Sequence, residues 1–143
     1  MEIILHLDIK KISTDYSDAL KEYIKRISPF AKVKVSTYKN INKLTVASTS
    51  KILLIEAGEN TLTSPQLADF IEKISLDGLS VLEIIIPNPD NIKQIKDTLS
   101  SQCFNYDILN ISSFSMSVEM TATVATEQIY RAYTILNNIK YHK

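Results

Sequence analysis

Two short stretches of almost uninterrupted apolar side chains limit the folds that are open to this chain. Residues 52–55 read ILLI, and residues 81–86 read VLEIII. Such runs are typical of strands that are covered on both faces, because a half-exposed strand alternates apolar and polar residues. A sheet with such strands at its centre needs helices on both of its faces. The sequence therefore predicts an α/β fold with a mainly parallel sheet.

Helical spacing of apolar residues alternates with the strands along the chain. Further strands are predicted at residues 2–7, 32–38 and 104–111, and a loop that can contain a short turn of helix at residues 39–50. Thr14 or Asp15 is the predicted cap of the first helix, and Ser64 is the predicted cap of the second, with Pro65 as its first residue. A third helix is predicted to start at Asp90 or Asn91 and a fourth after Ser117. The stop signals of the first, second and last helices are Pro29, Asp77–Gly78 and Asn137–Asn138. The length of 143 residues suits a single domain spanning residues 1–143.

Composition excludes several classes of protein. The two glycines provide no glycine-rich phosphate cradle, so a Walker-type or dinucleotide-binding fingerprint is absent. Two histidines and one cysteine lack ligand spacing, so no metal site is predicted; His6 is expected to be a structural residue and Cys103 a structural thiol. No apolar run reaches 18 residues, and the N-terminus does not read as a signal peptide. A cytoplasmic protein without membrane contact is therefore expected.

Charge alone gives no indication of the partner. The 16 basic and 16 acidic residues cancel, so the net charge does not predict nucleic-acid binding. Basic residues do cluster at residues 10–11, 21–26 and 32–34 and again in the last thirteen residues. Such clusters are usually solvated faces, and they form a phosphate-binding surface only where the fold or a dimer brings them together.

Residues 127–143 are the most distinctive stretch of the sequence. They read EQIYRAYTILNNIKYHK, with apolar residues at helical spacing up to Leu136. The E-x-x-Y-R-A run, followed by Tyr-His and a basic residue, resembles the C-terminal signature of the SPOUT-class methyltransferases of the large subunit methyltransferase H family, which modify a pseudouridine in large-subunit ribosomal RNA. Residues 22–27, 29–30 and 32–33 resemble the first helix and following strand of the same family.

The resemblance implies more than the residue pattern does. It implies a SPOUT-like fold with a C-terminal trefoil knot, S-adenosylmethionine as cofactor, and pseudouridine in large-subunit ribosomal RNA, within assembled ribosomes, as substrate. It also implies a homodimer in which one subunit's C-terminal residues complete the partner's active site. Tyr141 and His142 are then the catalytic candidates. Arg131, Lys140 and Lys143 are the candidates for pairing RNA phosphates.

Three loops are expected to form the cofactor site, because ligands bind beyond the carboxyl ends of the strands in open α/β sheets. Residues 56–60, 87–91 and 110–117 are the loops that correspond to those wrapping S-adenosylmethionine in the resembled family. The resemblance gives the following cofactor-binding candidates: Ile55, Glu56, Pro87, Asn88, Ile111, Ser112 and Ser115.

The sequence departs from the family in two of these loops. The family's G-G-x-x-G turn is Pro87-Asn88-Pro89-Asp90-Asn91 here, and proline lacks both the N–H and the conformational freedom of glycine. A Pro-His pair at the start of the last helix is replaced by Ser117–Val118, and an arginine one turn later by Ala122. Three hypotheses stay open: an active ribosomal RNA methyltransferase, a degenerate homologue that keeps the dimer and RNA contact, and an unrelated nucleotide-binding regulator.

Overall fold

Strands and helices alternate along the chain in a computed structural model that describes residues 1–143. The strands are β1 (Glu2–Leu7), β2 (Lys32–Thr37), β3 (Lys51–Ile55), β4 (Val81–Ile86) and β5 (Asp107–Leu109), and the helices are α1 (Thr14–Ile27), α2 (Ser64–Leu76), α3 (Ile92–Ser101) and α4 (Val118–Leu136). Two short 3₁₀ turns lie at Ile41–Lys43 and Pro89–Asn91. The turn within residues 39–50 was therefore predicted correctly.

The five strands form one sheet in the order β2-β1-β4-β3-β5, and every neighbouring pair is parallel. The two apolar runs, β3 and β4, lie side by side near the middle of the sheet, where a strand is buried on both faces. This confirms the predicted α/β fold with a parallel sheet. The C-terminal trefoil knot stays a prediction.

The two faces of the sheet are covered unequally. Alternate side chains of β1, β3 and β4 pack against α1, α2 and α4 in a core of 20 buried residues. The opposite face packs against α3 and the first 3₁₀ turn in a core of seven. Helices therefore cover both faces, as predicted, but residues 38–50 rather than a full helix cover the second face beside β1.

Element boundaries differ from the predictions at three points. The side chain of Thr63, not Ser64, caps α2 by accepting from Gln66 N at 3.3 Å, so Ser64 and Pro65 fall inside the first turn. Ser13 occupies the position before α1, which makes both predicted caps wrong. Of the strand predicted at residues 104–111, only Asp107–Leu109 pair with β3, and Asn110 forms an isolated bridge to Thr61.

One charged side chain lies inside the run that was predicted to be a fully buried strand. Glu83 of β4 is 2% exposed, and its Oε2 lies 2.7 Å from His6 Nε2. Its Oε1 accepts hydrogen bonds from Ala47 N at 2.7 Å and Ser50 Oγ at 2.9 Å. His6 Nδ1 lies 2.7 Å from the hydroxyl of Tyr38, whose pKa is raised by burial. His6 is thus the structural residue that was predicted, and Glu83 supplies the polar partners that the covering loop needs.

Candidate active site

The parallel sheet brings the three predicted loops to one edge, where they enclose a cleft. Its wall contains Ile55, Glu56, Ala57, Ile86, Pro87, Pro89, Ile92, Ile111, Ser112, Phe114, Ser115, Met116 and Thr121. Six of the seven cofactor-binding candidates are in this set. The structure therefore brings together residues that lie up to 60 positions apart in the sequence.

Asn88, the seventh candidate, does not line the cleft. Its side-chain oxygen accepts from Asp90 N at 3.1 Å and so caps the short 3₁₀ turn, while its own N–H donates to Asp8 Oδ2 at 2.8 Å. Asn91 Nδ2 donates to the same carboxylate oxygen at 3.0 Å. The two asparagines therefore replace glycine flexibility with a turn that is fixed by Asp8 and capped by Asn88.

A close backbone contact fixes the first loop against the third. Gly58 N donates to Ser112 O at 3.0 Å, and Asn110 Nδ2 donates to Glu56 O at 2.8 Å. A Cβ atom on Gly58 would lie 2.7 Å from Asn110 Cγ, which is closer than real Cβ contacts come. Glycine is required at position 58 by this approach of the two loops.

Glu56 is the only charged residue in the wall of the cleft. Its carboxylate oxygens lie 3.0 and 2.8 Å from Nζ of Lys96, which belongs to α3. Both side chains are about one-third exposed, at 30% for Glu56 and 34% for Lys96. Lys96 could not be predicted from the sequence, because the segment around it reads as an ordinary solvated helix face.

The lining suits an adenosyl group in chemistry but not in size. Apolar side chains dominate the wall, and Glu56 offers a hydrogen-bond acceptor. The enclosed volume, however, is about 30 Å³, which is room for about two water molecules, whereas small-molecule sites usually begin near 300 Å³. A ligand of that size enters only if the wall moves, and residues 113–116, beyond the bond between Gly58 and Ser112, are the part of the third loop that is free to do so. Phe114 in this segment is 68% exposed, so its outward movement breaks little packing.

A larger cavity of about 280 Å³ lies between α2, α4 and the face of β3 and β4. Eleven of its 15 lining residues are hydrophobic, and Ser64 and Gln128 on its rim are bonded to each other at 2.7 Å. A cofactor with a sulfonium, an ammonium and a carboxylate would find few partners there. The cleft is therefore the better candidate, although Ile111 lines both spaces.

A fourth segment, which the sequence did not single out, adjoins the cleft. Residues 8–13 follow β1, and Asp8 holds the turn after β4 through the two bonds described above. At its other end, Ser13 N donates to Glu119 Oε2 in the first turn of α4 at 2.8 Å. Lys10 and Lys11 in this segment are exposed and lie outside the six ion pairs of the chain.

The family has a histidine and an arginine at the positions of Val118 and Ala122, and both positions are apolar in this chain. Ser117 caps α4 by accepting from Met120 N at 3.2 Å, and Val118 behind it is buried. Ala122 is fully buried in the main core, so this position faces away from solvent. No charged side chain replaces the missing histidine and arginine within the wall of the cleft.

Residues 137–143, called the tail below, fold back along the outside of α4. Tyr141 OH donates to Glu127 Oε1 at 3.1 Å, and the Tyr141 ring meets the Tyr130 ring edge-on at 4.7 Å. The guanidinium of Arg131 lies 5.0 Å from the centre of the Tyr141 ring. Burial, together with hydrogen bonding to Glu127, raises the pKa of Tyr141 to about 12, so its phenol is neutral near pH 7. Neither Tyr141 nor His142 lines the cleft of its own chain.

The three candidates for RNA binding lie in different environments. Arg131 forms an ion pair with Glu127, with Nη2 to Oε1 at 2.6 Å. Lys140 and Lys143 are exposed and belong to no ion pair. The chain contains no group of three or more His, Cys, Asp or Glu residues that could hold a metal ion. None of its helices has the length and apolar character needed to cross a membrane.

A parallel α/β sheet with a cleft between the loops at its carboxyl edge is typical of small-ligand-binding α/β domains. Comparison with known families is more specific. Residues 1–142 match the family model described as "Predicted SPOUT methyltransferase". The chain belongs to the SPOUT methyltransferase family.

Curated relatives match over nearly their full length. "Ribosomal RNA large subunit methyltransferase H 1" of Thermoanaerobacter sp. (strain X514) is 35% identical over 136 residues, which cover 93% of this chain and 92% of that protein. "Ribosomal RNA large subunit methyltransferase H" of Oenococcus oeni (strain ATCC BAA-331 / PSU-1) is 28% identical over 160 residues, with 96% of each chain covered. The resemblance inferred from the sequence is thereby confirmed.

Proposed function

We propose that this chain is an S-adenosylmethionine-dependent methyltransferase that acts on large-subunit ribosomal RNA. The observation that carries the proposal is the cleft. In a chain of the methyltransferase family, six candidate residues from three distant loops meet at the edge of the sheet where α/β domains bind ligands. Family membership leaves no support for an unrelated nucleotide-binding regulator.

Different cleft residues would contact different parts of the cofactor. Ile86, Pro87, Ile92 and Ile111 provide apolar walls for an adenine ring, and Glu56 provides the acceptor. The bound cofactor supplies an electrophilic methyl group on a positively charged sulfur. Residues 113–116 would open to admit it, and their closure would exclude water and orient the nucleophile.

The tail is proposed to act in a second subunit of a homodimer. Within one chain the Tyr141 side chain packs against α4 at Glu127, which is six residues past Thr121, the α4 residue that lines the cleft. Tyr141 is neutral, so it stacks on a base or donates a hydrogen bond rather than removing a proton. His142, which is exposed and has no side-chain partner, is the candidate for proton removal. Lys140 and Lys143, with Arg131 behind them, pair phosphates of the RNA.

The substrate follows from the relatives, which are named as large-subunit ribosomal RNA methyltransferases. Pseudouridine in assembled ribosomes is the proposed target, and the cytoplasm the proposed location.

Calorimetric titration with S-adenosylmethionine and with S-adenosylhomocysteine tests the first step. We expect binding in the micromolar range, or about −8 kcal/mol. Transfer of a labelled methyl group to ribosomes that lack the modification tests the second. Binding without transfer to ribosomes or to free ribosomal RNA would contradict the substrate, and no binding at millimolar cofactor would contradict the activity.

One observation favours a second candidate, a homologue that no longer catalyses methyl transfer. The cleft has room for only about two water molecules. The family's glycine-rich turn is absent, and Ala122 stands where the family has an arginine. A chain that dimerises and binds ribosomes but binds neither cofactor nor its product would establish this alternative.

A further inference from the structure

Lys96 and Glu56 form an arrangement at the cleft that neither the family match nor the relatives' names assign. We propose that Lys96 is a positioning residue that holds the Glu56 carboxylate ready to accept hydrogen bonds from the ribose hydroxyls of an adenosyl ligand. This inference rests on the proposed cofactor binding and goes beyond it by assigning one contact and the residue that orients it.

The backbone of Glu56 is fixed before its side chain is considered. Glu56 N donates to Leu109 O at 3.2 Å, and Glu56 O accepts from Asn110 Nδ2 at 2.8 Å. Two residues later, Gly58 lies against the Asn110 side chain. Position 56 therefore has little freedom of its own, and the direction of the carboxylate depends on what holds the side chain.

Lys96 holds the Glu56 side chain. Its Nζ lies within hydrogen-bond distance of both carboxylate oxygens, at 3.0 and 2.8 Å, and Glu56 is its only ion-pair partner. Ile92, one turn earlier on α3, lines the cleft itself, so the helix presents an apolar wall and the lysine to the same region. The lysine thus holds the carboxylate at the wall of the cleft.

The chemistry of the contact identifies the part of the ligand it recognises. An ionised carboxylate accepts hydrogen bonds only, and an adenosyl group carries neighbouring ribose hydroxyls that donate them. The adenine ring finds apolar walls, and no other charged group lines the cleft. Acidic residues at the corresponding edge of dinucleotide-binding domains bind ribose hydroxyls in the same way.

The test compares two ligands on matched variants by calorimetry. The ligands are S-adenosylhomocysteine and its 2′,3′-dideoxy analogue, and the variants are Lys96→Met, Lys96→Arg and, as the control on the same helix, Lys93→Met. Lys93 is exposed and forms no ion pair. We expect Lys96→Met to weaken S-adenosylhomocysteine binding about tenfold, Lys96→Arg to stay within about threefold of the parent, and Lys93→Met to change nothing.

The dideoxy analogue separates positioning from general damage to the site. The parent is expected to bind it about tenfold less tightly than S-adenosylhomocysteine, and Lys96→Met to show a difference below about threefold. An undiminished preference for the ribose hydroxyls in Lys96→Met would overturn the proposal. A parent that binds neither ligand would instead overturn the proposed cofactor binding, and the positioning role with it.

A charge exchange excludes a purely structural role. Glu56→Lys combined with Lys96→Glu keeps an ion pair between the loop and α3 but presents a donor to the ribose. We expect a melting temperature within about 2 °C of the parent, since a partly exposed pair contributes little to stability. Binding of S-adenosylhomocysteine is expected to be lost by at least tenfold. Retained binding in the exchanged variant would show that the pair serves only to join the two segments.

Discussion

The cleft and the tail are held in place in different ways. Three bonds to the backbone fix the loops of the cleft: Gly58 N donates to Ser112 O, Asn110 Nδ2 to Glu56 O, and Asn88 N to Asp8 Oδ2. The start of the tail continues the end of α4 through backbone bonds, the last of them from Ile139 N to Thr134 O at 2.8 Å. Beyond Ile139 the tail is held only by the Tyr141 side chain, through one hydrogen bond and two ring contacts. A bonded loop junction can be lost only with damage to the fold, whereas the tail can leave α4 at small cost.

The region that most resembles the family in sequence is therefore not the region that forms the cleft. The tail resembles the family in sequence but lies outside the cleft of its own chain. The cleft departs from the family in sequence but contains six of the seven predicted cofactor-binding residues. The two regions therefore cooperate only if the tail of one subunit reaches the cleft of another. The predictions below test that separation.

Removal of the tail's end should have the largest effect. Deleting Tyr141, His142 and Lys143 is expected to reduce methyl transfer to ribosomes at least about 100-fold, a loss of about 2.7 kcal/mol in transition-state stabilisation. The affinity for S-adenosylhomocysteine should stay within about twofold, because none of the three residues lines the cleft. Turnover with modification-deficient ribosomes and calorimetry measure the two quantities.

A chain with three alanines at these positions is the control for the loss of length. A loss of cofactor affinity equal to the loss of turnover would show that the tail acts on the cleft of its own chain. It would contradict the view that the tail and the cleft of one chain are independent.

Gly58→Ala should damage the cleft and leave the tail intact. The new Cβ meets the Asn110 side chain, which is itself bonded to Glu56 O, so we expect a decrease of about 2–3 kcal/mol in the free energy of unfolding and loss of cofactor binding. Urea denaturation and calorimetry provide the measurements.

Gly78→Ala is the matched control. Its cost comes only from the φ of 81°, with nothing within 4 Å of the added atom, and should be about 1 kcal/mol with unchanged binding. Equal effects at the two glycines would show that the contact with Asn110 relaxes freely.

The sequence predicted the sheet and the cleft better than their details, for a physical reason. Apolar runs such as Val81–Ile86 report burial, and parallel strands then bring their carboxyl ends together whatever the loops contain. Which residue pairs with which is decided by tertiary contacts. Glu83 lay inside an apolar run, where a single charge should have suggested a buried polar partner. Lys96 carried no such signal, because its role depends only on where α3 lies.

The turn at residues 87–91 shows the same limit. The absence of glycine predicted a changed cofactor loop, and Asn88 was expected to line it. The structure instead uses Asn88 as a cap and Pro87 as a buried wall. A sequence comparison reports which residues are missing, but not which interactions take their place.

The smallest effect is expected from Tyr141→Phe, and its pH dependence reports directly on how the tail is held. The phenol donates to Glu127, so its loss should cost about 1 kcal/mol near pH 8. The pKa of Tyr141 is about 12 in the folded chain and 10 in its ordinary state, so folding favours the neutral phenol. This stabilisation is therefore complete below pH 10 and is lost as the pH rises through about 12. Urea denaturation of parent and variant between pH 8 and 11.5 should show the difference in their free energies of unfolding shrinking towards alkaline pH.

Tyr16→Phe, which removes a hydroxyl that forms no side-chain hydrogen bond, is the control for the loss of a hydroxyl in general. A constant difference across this range would mean that Tyr141 does not rest on Glu127 in solution, and that the tail is already free to reach a second subunit.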